Sequence, residues 1–160
     1  MSEIKFLNID LDIESQGDIS LVVKEFCNRL TVMRNDCSKG MYYASFETGY
    51  TEENIIIEEY VNIIEGLSPE AREIWNNCLK REFDFGYESG DKPNDFHSKI
   101  SAKSIELLAK VGGSFTVTIY PPFKNESTLP GLTLDSGADA PMQVKAVVGR
   151  LIEDPRNDDH

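Results

Sequence analysis

Residues 4 to 14 alternate with a period of two: Leu7, Ile9, Leu11 and Ile13 against Asn8, Asp10, Asp12 and Glu14. Such a segment is a strand with its aliphatics on a core and its acids on the opposite face. Gly17 and Asp18 break the pattern, and Ile19, Val22, Val23, Phe26 and Leu30 then return at helical spacing with Asp18 as the expected N-cap. Thr31 to Arg34 reads as a short strand, residues 35 to 40 as a turn, and Met41 to Glu47 as the second arm of a hairpin. In that arm Tyr42, Ala44 and Phe46 oppose Tyr43, Ser45 and Glu47.

Thr51 is placed to cap a helix with an apolar stripe of Ile56, Ile57, Tyr60, Val61 and Ile64. Ser68-Pro69-Glu70 opens another, carrying Ala71, Ile74, Trp75, Cys78 and Leu79, because proline costs little at the first helical position. The two helices are expected to form an αα-hairpin. Residues 82 to 88 alternate, with Phe83, Phe85 and Tyr87 on one face. Ser101 caps a helix that turns Ile105, Leu108 and Ala109 inward. Gly112-Gly113 leads into a strand with Phe115, Val117 and Ile119 on one side, stopped by Pro121-Pro122. Residues 121 to 141 read as a long loop around Leu132 to Leu134, and 144 to 152 are ambiguous between helix and strand. The pattern predicts an α+β fold: a largely antiparallel sheet of about five strands with helices packed mainly on one face. One domain is expected over residues 1 to 152, with a frayed acidic tail over 153 to 160.

The chain has 160 residues and a formal net charge of -12, from 28 acids against 16 Lys and Arg. That sign disfavours nucleic acid and anionic membrane, both of which call for clustered cations. It leaves basic proteins and cations as natural partners. The longest apolar runs, such as Ile55-Ile56-Ile57, are far short of the roughly 20 residues of a spanning helix, and the start lacks a signal-peptide pattern. Three cysteines, Cys27, Cys37 and Cys78, cannot all pair within one chain, so reduced thiols and a cytoplasmic setting are expected.

Familiar catalytic patterns are missing. There is no GxxxxGK[ST], no GxGxxG after a strand and no GxSxG. The two histidines, His97 and His160, have no companions at zinc-ligand spacing. Asn8, Asp10 and Asp12 project from one strand face, and with Asp84 or Glu88 they are the oxygens that could hold Mg²⁺. From Gly40 to Ala71 there is no Lys or Arg, while Glu47, Glu52, Glu53, Glu58, Glu59, Glu65 and Glu70 all fall there. Tyr42, Tyr43 and Tyr50 lie in or beside the same stretch. Acids interleaved with tyrosines suit a basic protein surface, with charge steering encounter and aromatics supplying contact.

Several stretches look familiar together: Phe6-Leu7-Asn8-Ile9-Asp10-Leu11, Tyr43-Ala44-Ser45-Phe46-Glu47, Leu67-Ser68-Pro69-Glu70-Ala71-Arg72, Phe83-Asp84-Phe85-Gly86-Tyr87-Glu88 and Thr116-Val117-Thr118-Ile119-Tyr120-Pro121-Pro122. Over roughly residues 4 to 122 the chain resembles a group of uncharacterised bacterial α+β proteins. Its order of elements is similar to small acidic immunity proteins that neutralise toxins. The resemblance implies a bacterial cytosolic protein and carries no catalytic residue with it.

The leading expectation is therefore a non-enzymatic binding protein, an immunity or inhibitor protein that blocks a basic toxin or nuclease. Glu47, Tyr50, Glu52, Glu53, Glu58, Glu59 and Glu65 are its expected contacts, with neither metal nor cofactor. The alternatives are a metal-dependent enzyme using Asp10, Asp12 and Asp84, and a structural homodimer that buries the Phe83/Phe85/Tyr87 face.

Overall fold

A computed structural model describes residues 3–91 and 95–122. The chain order is β1 (Lys5–Ser15), α1 (Ser20–Phe26), β2 (Thr31–Ser38), β3 (Met41–Glu47), α2 (Glu53–Glu65), α3 (Pro69–Asn76), β4 (Lys80–Glu88), α4 (Ala102–Lys110) and β5 (Ser114–Tyr120). The expected loop beyond Pro122, the 144 to 152 segment, the boundary at 152 and the tail over 153 to 160 lie outside the described residues.

The five strands form one sheet in the order β2-β3-β1-β4-β5. β1 sits in the middle and runs antiparallel to both β3 and β4. Leu11 stands opposite Phe46 on one side and Phe83 on the other. The last pair, β4 with β5, is parallel, and α4 lies in the connection between them. The architecture is α+β as the pattern predicts, mostly antiparallel with this one parallel pair.

Period-two alternation divides the sheet into two chemically different faces. Ile9, Leu11, Ile13, Ala44, Phe46, Phe83, Phe85 and Tyr87 are buried in one cluster with Val22, Phe26, Ile56, Ile57, Ile64 and Trp75 from the helices. Fully burying a Val, Leu, Ile or Phe side chain of this set stabilises the fold by about 1.5–3 kcal/mol relative to exposure. Tyr60 enters this core as well, and its hydroxyl lies 2.9 Å from the carbonyl of Ile9 and 2.8 Å from that of Phe46. A buried hydroxyl needs such a partner, and these acceptors pin α2 to the two central strands. The Trp75 indole N–H donates to the Val111 carbonyl at 3.0 Å, joining α3 to the end of α4.

The capping expectations divide. Ser68 accepts from the Ala71 amide at 3.3 Å and Ser101 from the Ser104 amide at 3.0 Å, as their positions predict. Asp18 and Thr51 are not the N-caps of their helices, which are Ile19 and Glu52, neither with a side-chain cap. Asp18 instead accepts from the backbone and hydroxyl of Ser20, at 2.8 and 2.5 Å.

β2 extends to Ser38, four residues past the expected end, because Asn35 to Ser38 pair with Ala44 to Met41. The turn shrinks to Lys39 and Gly40, both at positive φ. The homodimer expectation through Phe83, Phe85 and Tyr87 meets a different arrangement: all three are buried within the chain's own core, being 0, 2 and 6% exposed. Ile105 and Ala109 point outward rather than inward, leaving Leu108 and Ser104 as the buried residues of α4. No helix among the described residues is long and apolar enough to cross a membrane.

Candidate functional site

The sheet face away from the helices is polar and carries most of the unusual chemistry. β1 contributes Asn8, Asp10, Asp12 and Glu14; β3 contributes Tyr43, Ser45 and Glu47; β4 contributes Lys80, Glu82 and Asp84; β5 contributes Thr116, Thr118 and Tyr120. The sets on β1, β3 and β4 are the alternate complements of buried rows, so the alternation that builds the core also builds this face.

Asp10 lies at its centre. Asp84 is its direct cross-strand partner on β4. Asn8 bridges to the other side, donating from Nδ2 to Asp10 at 2.9 Å and to Glu47 at 2.8 Å. Gly86 makes room for this bridge, since a Cβ there would lie 3.0 Å from the Asn8 side-chain oxygen. Asp12 accepts from the Ser45 hydroxyl. The Thr118 hydroxyl, 2.7 and 2.9 Å from the two carboxylate oxygens of Asp84, donates to that group.

Burial pushes the Asp10 carboxyl up to about 7, and the nearby charges of Glu47, Asp12 and Asp84 push in the same direction. Near neutral pH this carboxyl therefore exchanges its proton. The cations of this face stand toward its rim and are already engaged. Lys80 lies 3.0 Å from Glu82 and 3.8 Å from Glu14. Arg34 bonds Asp36 and covers the Tyr43 ring at 4.5 Å. Among the described residues no Lys or Arg forms an ion pair with Asp10, Asp12, Glu47 or Asp84.

The metal alternative named Asp10, Asp12 and Asp84. The fold puts all three on one face, yet Asp12 and Asp84 are held by hydroxyls from flanking strands. No group of three or more His, Cys, Asp or Glu among the described residues is gathered closely enough to hold an ion. Clefts of the described fold lie under α4 and β5, beside the turn after β1, and between α1 and the end of α2.

The seven residues expected to contact a partner do not converge. Glu47 joins the open sheet face. Tyr50, 51% exposed, and the exposed Glu52 sit in the connection before α2. Glu53 accepts from Ser98 at 3.0 Å. Glu58 and Glu65 pair with Lys103 and Lys110 of α4, the former at 2.7 Å, and Glu59 pairs with Arg29 at 2.6 Å. Glu58, Glu59 and Glu65 are thus met by cations from distant parts of the chain. The open face adds to Asn8, Asp10, Asp12 and Asp84, grouped from the sequence, three residues that the sequence alone does not join to them: Glu47, Ser45 and Thr118. The alternation in β3 and β5 marked Ser45 and Thr118 as outward-facing, but only the strand order makes them neighbours.

Compared with protein-family models, with curated proteins and with solved structures, the chain matches none.

Proposed function

We propose that this chain is a non-enzymatic binding protein that receives a cationic group of a basic protein partner on the open face of its sheet. The observation behind the reading is the crowding of Asp10, Asp12, Glu47 and Asp84, with Asp10 held protonated up to about pH 7. In the free protein these like charges repel. A lysine or arginine placed over them removes that cost and lowers the Asp10 pKa again. Binding is therefore coupled to release of a proton near neutral pH.

A polar face that draws on four strands offers the extended contact of a macromolecular surface, whereas a small molecule calls for a concave pocket. Tyr43 and Tyr120 flank the acids and supply aromatic contact area. An immunity or inhibitor protein acting on a cationic toxin or nuclease fits this chemistry, consistent with the net charge of -12. Glu58, Glu59 and Glu65 of α2 contribute to long-range steering rather than to contact, being paired already.

The test is capture from the cells that make the protein, at low salt, followed by titration calorimetry in buffers of different ionisation enthalpy. A stoichiometric basic partner is expected, bound more weakly as salt rises and releasing a proton on binding. Asp10→Asn is expected to abolish the proton release, and Glu47→Gln to weaken the complex by about tenfold. Recovery of no basic partner, or a complex indifferent to both substitutions, overturns the reading.

A further inference from the structure

The two edges of the sheet are built differently. β2 carries Arg34 and Asp36 and a register shift between Val32 and Arg34, devices that discourage edge pairing. β5 has no such protection. Its seven residues, Ser-Phe-Thr-Val-Thr-Ile-Tyr, hold no Lys, Arg, Asp, Glu or Pro, and among the described residues no strand pairs with its outer side. On the helix side Phe115, Val117 and Ile119 remain 64, 52 and 62% exposed. With Ile105 and Phe96 they border a groove of about 420 Å³ lined almost entirely by apolar side chains.

We infer that β5 is the interface of a two-fold homodimer, in which the β5 strands of two copies pair antiparallel about Val117 and each copy's apolar row closes the other's groove. The strand is self-complementary in that register. Val117 meets Val117 of the second copy, Phe115 meets Ile119, and Thr116 meets Thr118. The apolar residues pair on one face and the threonines on the other, and no charge opposes a like charge. A two-fold contact uses one patch twice, which is what a palindromic pattern of side-chain types permits. Aromatic with β-branched and Thr with Thr are among the favourable cross-strand pairs.

Phe115, Val117, Ile119, Ile105 and Phe96 together expose on the order of 500 Å² per copy, so complete burial of these side chains in a pair would remove about 1,000 Å², the threshold of a specific interface. This surface is separate from the acidic face and does not depend on the reading proposed for it. The two respond oppositely to salt. Screening the charge of -12 strengthens self-association, whereas it weakens capture of a basic partner.

Sedimentation velocity of the full chain from micromolar to millimolar concentration tests the dimer. The expected result is a monomer–dimer equilibrium that shifts toward dimer at high salt. Val117→Lys, which places two ammonium groups face to face, is expected to give a monomer with unchanged Trp75 fluorescence. In a background with Cys27 and Cys37 changed to Ser, Val117→Cys is expected to join to itself with a short thiol cross-linker. Phe115→Cys is expected to join only to an Ile119→Cys chain mixed with it. A native chain that stays monomeric throughout overturns the inference, and protected β5 amides in that monomer identify an occupant other than a second copy. A dimer that survives Val117→Lys, or that cross-links in another register, overturns it as well.

Discussion

Asp10 and Asp84 stand directly opposite each other across the β1–β4 pair, two carboxylates in a register position where opposite charges or apolar pairs are the stabilising choices. Burial first, then the charges of Glu47, Asp12 and, least, Asp84, raise the folded-state pKa of Asp10 to about 7 from its ordinary value of 3.8. Between these values the native state binds more protons than the unfolded chain, so this contribution to stability is complete below about pH 4 and is lost as pH rises through 7. Allowing for the partial exposure of the group, its size is on the order of 1–2 kcal/mol. Asp10→Asn is expected to raise stability by that amount at about pH 8, to change little at about pH 4, and to flatten the slope between. Urea unfolding followed by Trp75 fluorescence across pH measures this, and an unchanged slope would show that Asp10 does not titrate as described.

The cysteines give a second test. Cys27 and Cys37 are exposed, while Cys78 is buried at the end of α3. Burial pushes the Cys78 thiol up to about 11, so its reactive thiolate is scarce at neutral pH. An aromatic disulfide reagent is expected to label two thiols rapidly in the native protein and the third only on unfolding. Three thiols reacting at one rate would contradict the placement of Cys78.

Removing the Tyr60 hydroxyl isolates its structural role. Tyr60→Phe keeps the ring and its edge contact with Phe83 but leaves the Ile9 and Phe46 carbonyls without this donor. The expected loss is about 1–2 kcal/mol of stability. Denaturant titration reads it, and a midpoint equal to that of the native protein would mean the hydroxyl holds nothing.

Gly113 is expected to reject a side chain. A Cβ there would lie 2.5 Å from a ring carbon of Phe83 and 3.3 Å from the Leu108 carbonyl. Phe83 is fully buried and cannot withdraw. Gly113→Ala should cost about 1–3 kcal/mol through overpacking, again read from denaturant midpoints, and a neutral substitution would show that α4 and β5 have slack between them.

Much of this architecture is legible in the linear pattern, and the failures share one cause. The alternation of β1 predicts both its core row and its acid row, because period two is a property of the strand alone. Ser68 and Ser101 announce their helices because capping is local. The turn-like composition of Asn35-Asp36-Cys37-Ser38 predicts an end of β2 at Arg34, whereas pairing with β3 outweighs that preference. Ile105 and Ala109 looked inward because helical spacing identifies a stripe and not the neighbour that covers it. The acidic stretch looked like a platform because Arg29, Lys103 and Lys110, which engage its glutamates, lie far away along the chain. The grouping of Asp10 with Glu47 was hidden for the same reason. Both residues were marked, on separate grounds, but their adjacency comes from a strand order that no local pattern encodes.

The central position of β1 has a temporal consequence. Its two hydrogen-bonding edges are completed by strands that end at Glu47 and Glu88. During synthesis at roughly 5–20 residues per second, several seconds pass between the emergence of β1 and that of its second neighbour. Throughout that interval the Ile9, Leu11 and Ile13 row has at most half of its shelter. The nascent chain is therefore a natural client for a chaperone until β4 arrives and the sheet can close around its first strand.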